Sequence, residues 1–164
     1  MGTEIMIRQL TADDFTEFKK LCVAQHEEAK LPQNNTGDWS VYLQKIRETL
    51  ISDTNNIFVM FDNNKMIGYT IGTLNEIPWN QNRFGDIGMF FVHPEHRNKR
   101  NADQLWNAIV DWFEQNKCVY VMASVFLFDE NCEADQDHID RASVYFKSKG
   151  MNACGNFFVK GIDG

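Results

Sequence analysis

One change of hydrophobic period constrains this chain more than any other feature. Residues 86–92, DIGMFFV, form a short apolar run, as a strand buried on both faces requires. Pro94 then ends ladder pairing, because it has no N–H to donate. Residues 97–101, RNKRN, read as a polar, basic loop without Gly or Pro. From Ala102 the period is that of a helix, with Ala102, Leu105, Trp106, Ile109, Val110 and Phe113 at i, i+3, i+4, i+7, i+8 and i+11. A buried strand that runs through a basic turn into a helix N-terminus makes an anion site. The first-turn N–H groups are unpaired, the helix dipole is positive there, and Arg97, Lys99 and Arg100 add full charges.

The rest of the chain supplies elements around that unit. Residues 4–9 alternate as a first strand does, and Thr11 with Asp14 resembles a capping box that opens a helix to about Ala29, with Phe15, Phe18, Leu21 and Cys22 inward. After the loop LPQNNTGD, Asp38 caps a second helix with Trp39, Tyr42, Leu43, Ile46 and Leu50 as its inner stripe. Residues 57–61 and 66–74 form a hairpin about the turn 62–65, and residues 76–85 connect to the strand already described. Residues 118–128 form a further apolar strand, 129–137 an acidic loop, 139–149 a helix stopped by Gly150, and 156–160 a last short strand.

The length of 164 residues fits one domain spanning 1–164. A net charge of -7 excludes a general nucleic-acid binder and suits a cationic partner such as an amine, polyamine, aminoglycoside or Lys-containing peptide. No apolar run approaches the ~20 residues that span a bilayer, so no membrane partner is expected. Cys22, Cys118, Cys132 and Cys154 are widely spaced and fit packing roles in a reducing cytoplasm. No metal is expected. His93-x-x-His96 flanks Pro94 in a turn, and the calcium-like spacing of residues 129–140 has Ala134 where the sharp turn needs Gly and Asp140 where a bidentate Glu belongs. A homodimer is left open.

Residues 92–102, V-x-P-E-H-R-N-K-R-N-A, resemble the acyl-CoA-binding motif of the GNAT family, the GCN5-related N-acetyltransferases, whose core is [QR]-x-x-G-x-[GA]. Arg97 takes the first position and Ala102 the last. Arg100 replaces the usual glycine, which lets backbone approach a pyrophosphate, and its guanidinium could pair with phosphate instead. The order βααβββαβαβ is also that of the family. The resemblance implies an α/β (α+β) acyl-CoA N-acyltransferase fold, with a mixed, strongly twisted central sheet of six to seven strands and helices on both faces.

It further implies acetyl-CoA as co-substrate, with Arg97, Asn98, Lys99, Arg100, Asn101 and Ala102 at the pyrophosphate and Phe90, Phe91 and Val92 along the pantetheine arm. Asp86 matches the position at which histone-type members of the family carry a glutamate base, and Glu76 is an alternative. The pattern A-x-x-x-Y-x-x-x-G-F, which carries the family's acid, fits at Ala142, Gly150 and Met151, but Phe146 holds the tyrosine position. Tyr145 is one residue earlier, about 100° round a regular helix. Either a helix irregularity brings Tyr145 into the site, or water protonates the thiolate and Phe146 forms a wall near the sulfur. The implied activity is transfer of acetyl from acetyl-CoA to a cationic primary amine within a ternary complex. A non-catalytic acyl-CoA-binding module and a different acyl group are the alternatives. Residues 31–38 and 129–138 are the expected acceptor loops.

Overall fold

The computed structural model describes residues 4–29, 38–125 and 135–154. β1 (Ile5–Gln9), β2 (Asn55–Asp62), β3 (Lys65–Glu76) and β4 (Arg83–Val92) are antiparallel neighbours, and β5 (Cys118–Ala123) joins β4 in parallel. The described sheet is therefore mixed and five-stranded, in the order β1-β2-β3-β4-β5. The expected strand at 156–160 lies outside the described residues, as does 126–128 of the strand expected to reach Phe128. The β2–β3 turn is a two-residue loop whose Asn63 and Asn64 have φ of 47° and 67°. Asparagine tolerates that left-handed conformation, which matches the twist of the two strands.

Helices cover both faces. α1 (Phe15–Ala29) follows a 3-10 turn, Ala12–Asp14, and α2 is Trp39–Leu50. Asp14 accepts hydrogen bonds from the Thr11 N–H and hydroxyl, both at 2.8 Å, and its second anchor is Arg8, at 2.6 and 2.7 Å. The Arg8 guanidinium holds the Asp14 carboxyl far below the usual carboxylate range. Asp38 caps α2 by accepting from the Ser40 and Val41 N–H groups. Phe18, Leu21, Cys22 and Ile46 from these helices pack with Val59, Tyr69 and Phe91 of the sheet.

α3 (Lys99–Gln115) covers the opposite face with Leu105, Trp106, Ile109 and Phe113. Fully burying a side chain such as Ile109 or Phe113 contributes roughly 1.5–3 kcal/mol. Two glycines let the helix come this close. A Cβ on Gly72 would sit 2.5 Å from Ile109 Cδ1, and one on Gly85 would sit 2.4 Å from the Phe113 ring. The helix starts at Lys99, three residues before the apolar stripe begins at Ala102. Asn98 sets that start: its Oδ1 accepts from Asn101 N–H at 2.8 Å, while Ala102 N–H already bonds the Asn98 carbonyl. α4 (Gln136–Ser148) likewise begins before residue 139, because Asp135 accepts from His138 N–H. Gly150 follows it with φ of 81°, a conformation that glycine adopts without strain. Among the described residues no helix is long and apolar enough to cross a membrane.

Candidate active site

β4 is paired unequally along its two edges. Its β3 edge is bonded from Arg83 to Val92. Among the described residues its β5 edge is paired only as far as Ile87, opposite Ala123. Gly88 is an extra residue in the β3 ladder, since Ile71 pairs Met89 and Gly72 pairs Ile87. A bulge at the point where pairing ends bends and twists the strand. From residue 88 onward this edge of β4 has no strand partner among the described residues and borders a cavity of about 460 Å³.

Five structural pieces enclose that cavity: the C-terminal part of α1, residues 87–92 of β4, the start of α3, Ser124 and Val125 after β5, and one face of α4. Phe90, Phe91, Val92, Arg97, Asn98, Lys99, Ala102, Tyr145 and Phe146 all line it. Gln25 and Glu28 from α1, and His138 and Arg141 from α4, line it as well and carry no motif in the sequence. The one trace they leave is spacing, since His138, Arg141, Ala142, Tyr145 and Phe146 fall at i, i+3, i+4, i+7 and i+8 of α4.

The basic turn differs from its sequence expectation in four places. Arg97 is not a free cation: Nε donates to the Val92 carbonyl at 2.8 Å, and its two terminal nitrogens grip Glu28 at 2.7 and 2.5 Å. That pairing holds the Glu28 carboxyl below its ordinary pKa. Lys99 is paired with Asp103 one turn on. Arg100 is exposed, does not line the cavity and has no ion-pair partner among the described residues. It sits inside α3 with negative φ, so a Cβ in place of the family's glycine causes no backbone strain. Asn101 is 6% exposed and faces inward, where its amide donates to the His96 carbonyl at 2.8 Å. It braces the turn and does not line the cavity. The N–H groups of Lys99 and Arg100 have no acceptor among the described residues, so two first-turn donors remain at the helix start.

The two carboxylates expected as bases are separated by the pleat. Gly85 and Ile87 face α3, so Asp86 points to the face covered by α1 and α2. It is half-buried, and desolvation raises its pKa. Glu76 shares the α3 face with Gly72 and Leu74, is exposed, and pairs across the ladder with Arg83. Neither residue lines the cavity itself, although Asp86 is one residue from Ile87, which does.

Tyr145 reaches the cavity wall without any bulge in α4. Its ring centroid is 5.9 Å from Phe90 and that of Phe146 is 6.3 Å away, while Trp106 of α3 lies 5.9 Å from Phe146. Adjacent positions on α4 thus share one aromatic cluster. The Tyr145 hydroxyl donates to Asp103 Oδ1 at 3.3 Å, and Lys149 binds the same oxygen at 2.6 Å. Burial, followed by the Asp103 charge, pushes the Tyr145 phenol well above its usual pKa. Lys149 and Lys99 hold Asp103 down at about 2. On the α1 side, burial lowers the pKa of His138, and the nearby Arg141 and Arg97 charges act in the same direction against Glu28. The His93/His96 pair lies outside this cavity, with His96 Nδ1 3.5 Å from Asp62.

A family model for the acetyltransferase (GNAT) family matches residues 7–134. This chain belongs to that family. No functionally curated protein matches it by sequence. Solved structures similar to it include the aminoglycoside N-acetyltransferase AAC(6')-Iy in complex with CoA, at 16% identity and a TM-score of 0.73, covering 99% of this chain and 97% of that one. The aminoglycoside acetyltransferase meta-AAC0020, from an uncultured soil metagenomic sample and in complex with sisomicin, is similar at 14% identity and a TM-score of 0.72, with 97% of each chain covered. A transcriptional regulator from Bacillus halodurans C-125 is similar at 13% identity and a TM-score of 0.75, covering 97% of this chain and all of that one. At these identities the likeness is one of fold.

Proposed function

We propose that this protein is an acetyl-CoA-dependent N-acetyltransferase acting on a cationic primary amine by direct transfer within a ternary complex. The observation that carries the reading is the β4 strand, half-paired among the described residues, whose open edge borders the cavity beside the α3 N-terminus in a chain of this family. Unpaired strand backbone can bind an extended amide-bearing arm as another strand would. The Lys99 and Arg100 N–H groups, with the exposed Arg100 charge, suit the pyrophosphate. Phe90, Phe91 and Val92 flank the arm, and Phe146, against which Trp106 packs, forms an apolar wall.

Acetyl-CoA supplies the acetyl group as a thioester. Asp86 takes the ammonium proton, directly or through one water, and its raised pKa brings it nearer to what a base needs. The amine nitrogen then bonds the carbonyl carbon as the carbon–sulfur bond breaks, and the second proton it sheds passes into the water beside the sulfur. The departing thiolate takes its proton from water, because a phenol with an elevated pKa is a poor donor to a thiolate whose own pKa is near 8.5. The net charge of -7 favours a cationic acceptor, as does similarity to proteins named for aminoglycosides. Among the described residues Cys22, Cys118 and Cys154 are free, which suits a reducing cytoplasm.

A second reading, a non-catalytic acyl-CoA-binding module, is favoured by one observation. Glu28 is the cavity's lone carboxylate among the described residues, and Arg97 neutralises it. Thiol release from acetyl-CoA with a panel of polyamines and aminoglycosides decides between the two. Amine-dependent release supports the enzyme, whereas acetyl-CoA binding without release over the panel supports the binding module.

A further inference from the structure

Gln25 lines the cavity from α1, and its Oε1 accepts a hydrogen bond from the Tyr69 hydroxyl. Tyr69 is fully buried in β3, 4.9 Å edge-on to Phe18 and 6.1 Å from Phe91, its ladder partner on β4. This ring cannot turn without unpacking the α1 face of the core. Burial also keeps the phenol protonated, with its pKa well above the ordinary value. A carboxamide has one accepting end and one donating end. Fixing Oε1 on Tyr69 leaves Nε2 as the free end, and among the described residues nothing accepts from it. With Tyr69 as the donor to its Oε1, Gln25 offers the cavity a donor of its own.

We propose that Gln25 reads a carbonyl oxygen of the pantetheine arm through Nε2, and that Tyr69 is the positioning residue that holds the amide in its donating orientation. This rests on the assignment of the cavity to acyl-CoA. Tyr69 and Phe91 mark Gln25's level along β4, three residues or roughly 10 Å beyond the bulge at Gly88. Asp86 lies before that bulge, so the reacting carbonyl belongs near it and Gln25 meets the arm instead. Its contribution consequently falls on cofactor affinity and leaves the chemical step alone.

The test is a double-mutant cycle on acetyl-CoA affinity by calorimetry, with KM and kcat from thiol release. Gln25→Leu should raise Kd and KM about five- to tenfold, the scale of one neutral hydrogen bond, with kcat within twofold. Tyr69→Phe should raise Kd about two- to threefold by freeing the amide to flip, and should add nothing in the Gln25→Leu background. Gln25→Glu, which keeps the shape and loses the donor, should weaken binding at least as much as Gln25→Leu, and this holds whether or not Tyr69→Phe folds. An unchanged Kd in Gln25→Leu overturns the proposal while leaving the acyl-CoA assignment intact. Full additivity of Tyr69→Phe overturns the positioning role. Wild-type protein that binds no acetyl-CoA overturns the assignment itself, and the proposal with it.

Discussion

The two halves of β4 belong to one strand and have opposite surroundings. Residues 83–87 lie between β3 and β5, with Gly85 pressed against Phe113 and Ile87 in the α3 core. Residues 88–92 have β3 as their single strand partner among the described residues and turn the other edge to the cavity. The first half is held by packing on both sides. The second half is rigid through β3 and the core, yet has hydrogen-bonding capacity to spare. A strand built this way can present backbone to a ligand without the flexibility of a loop.

The largest effect expected concerns the paired half. Asp86→Asn should lower kcat by roughly 10²–10⁴-fold with little change in acetyl-CoA affinity, measured by steady-state kinetics over pH. A carboxylate whose pKa is raised in the fold costs stability above its unfolded pKa of about 3.9, and costs it in full above the folded value. At neutral pH the same variant should therefore melt at an unchanged or higher temperature. A collapse of both activity and stability would make Asp86 a structural residue.

Next come two glycines three residues apart. Gly85→Ala should destabilise by about 1–3 kcal/mol, since its Cβ would meet the Phe113 ring at 2.4 Å. Gly88→Ala should stay within about 0.5 kcal/mol, because a Cβ there has no neighbour closer than 4.0 Å. Thermal denaturation of both variants compares the crowded half with the open one. Equal losses would erase the distinction.

The smallest effect should come from α4. Tyr145→Phe should cost less than tenfold in kcat, under ~1.4 kcal/mol, because its hydroxyl is committed to Asp103. Phe146→Tyr should retain or raise the rate if the added hydroxyl reaches the sulfur. A hundredfold loss in Tyr145→Phe, with folding and cofactor affinity intact, would make Tyr145 the acid.

Apolar periodicity and turn chemistry made most of the described fold legible. The α3 stripe, the Asp38 cap and the turn at 62–65 are local patterns with one physical reading each. The start of α3 was hidden because its first turn, Lys99 to Asn101, is wholly polar and leaves Asn98 as the one local signal. A contiguous motif picked out residues that line the cavity at 90–92, 97–99 and 102. The site was not legible where function depends on distant partners. Arg97 looks like a free cation until α1 brings Glu28 to it from 69 positions away. Gln25, His138 and Arg141 likewise gain meaning only when α1 and α4 meet across β4. Asp86 and Glu76 are both candidate bases in the sequence, the second as the alternative, and the pleat sets them on opposite faces.

Amide hydrogen exchange with and without acetyl-CoA tests the central claim most directly, because it reads the two halves of β4 separately. Acetyl-CoA should slow exchange in residues 88–92 and at Lys99 and Arg100, and leave the already paired residues 83–87 unchanged. Protection confined to other segments, or no protection at saturating acetyl-CoA, would contradict the assignment of the free β4 edge as the acyl-CoA site.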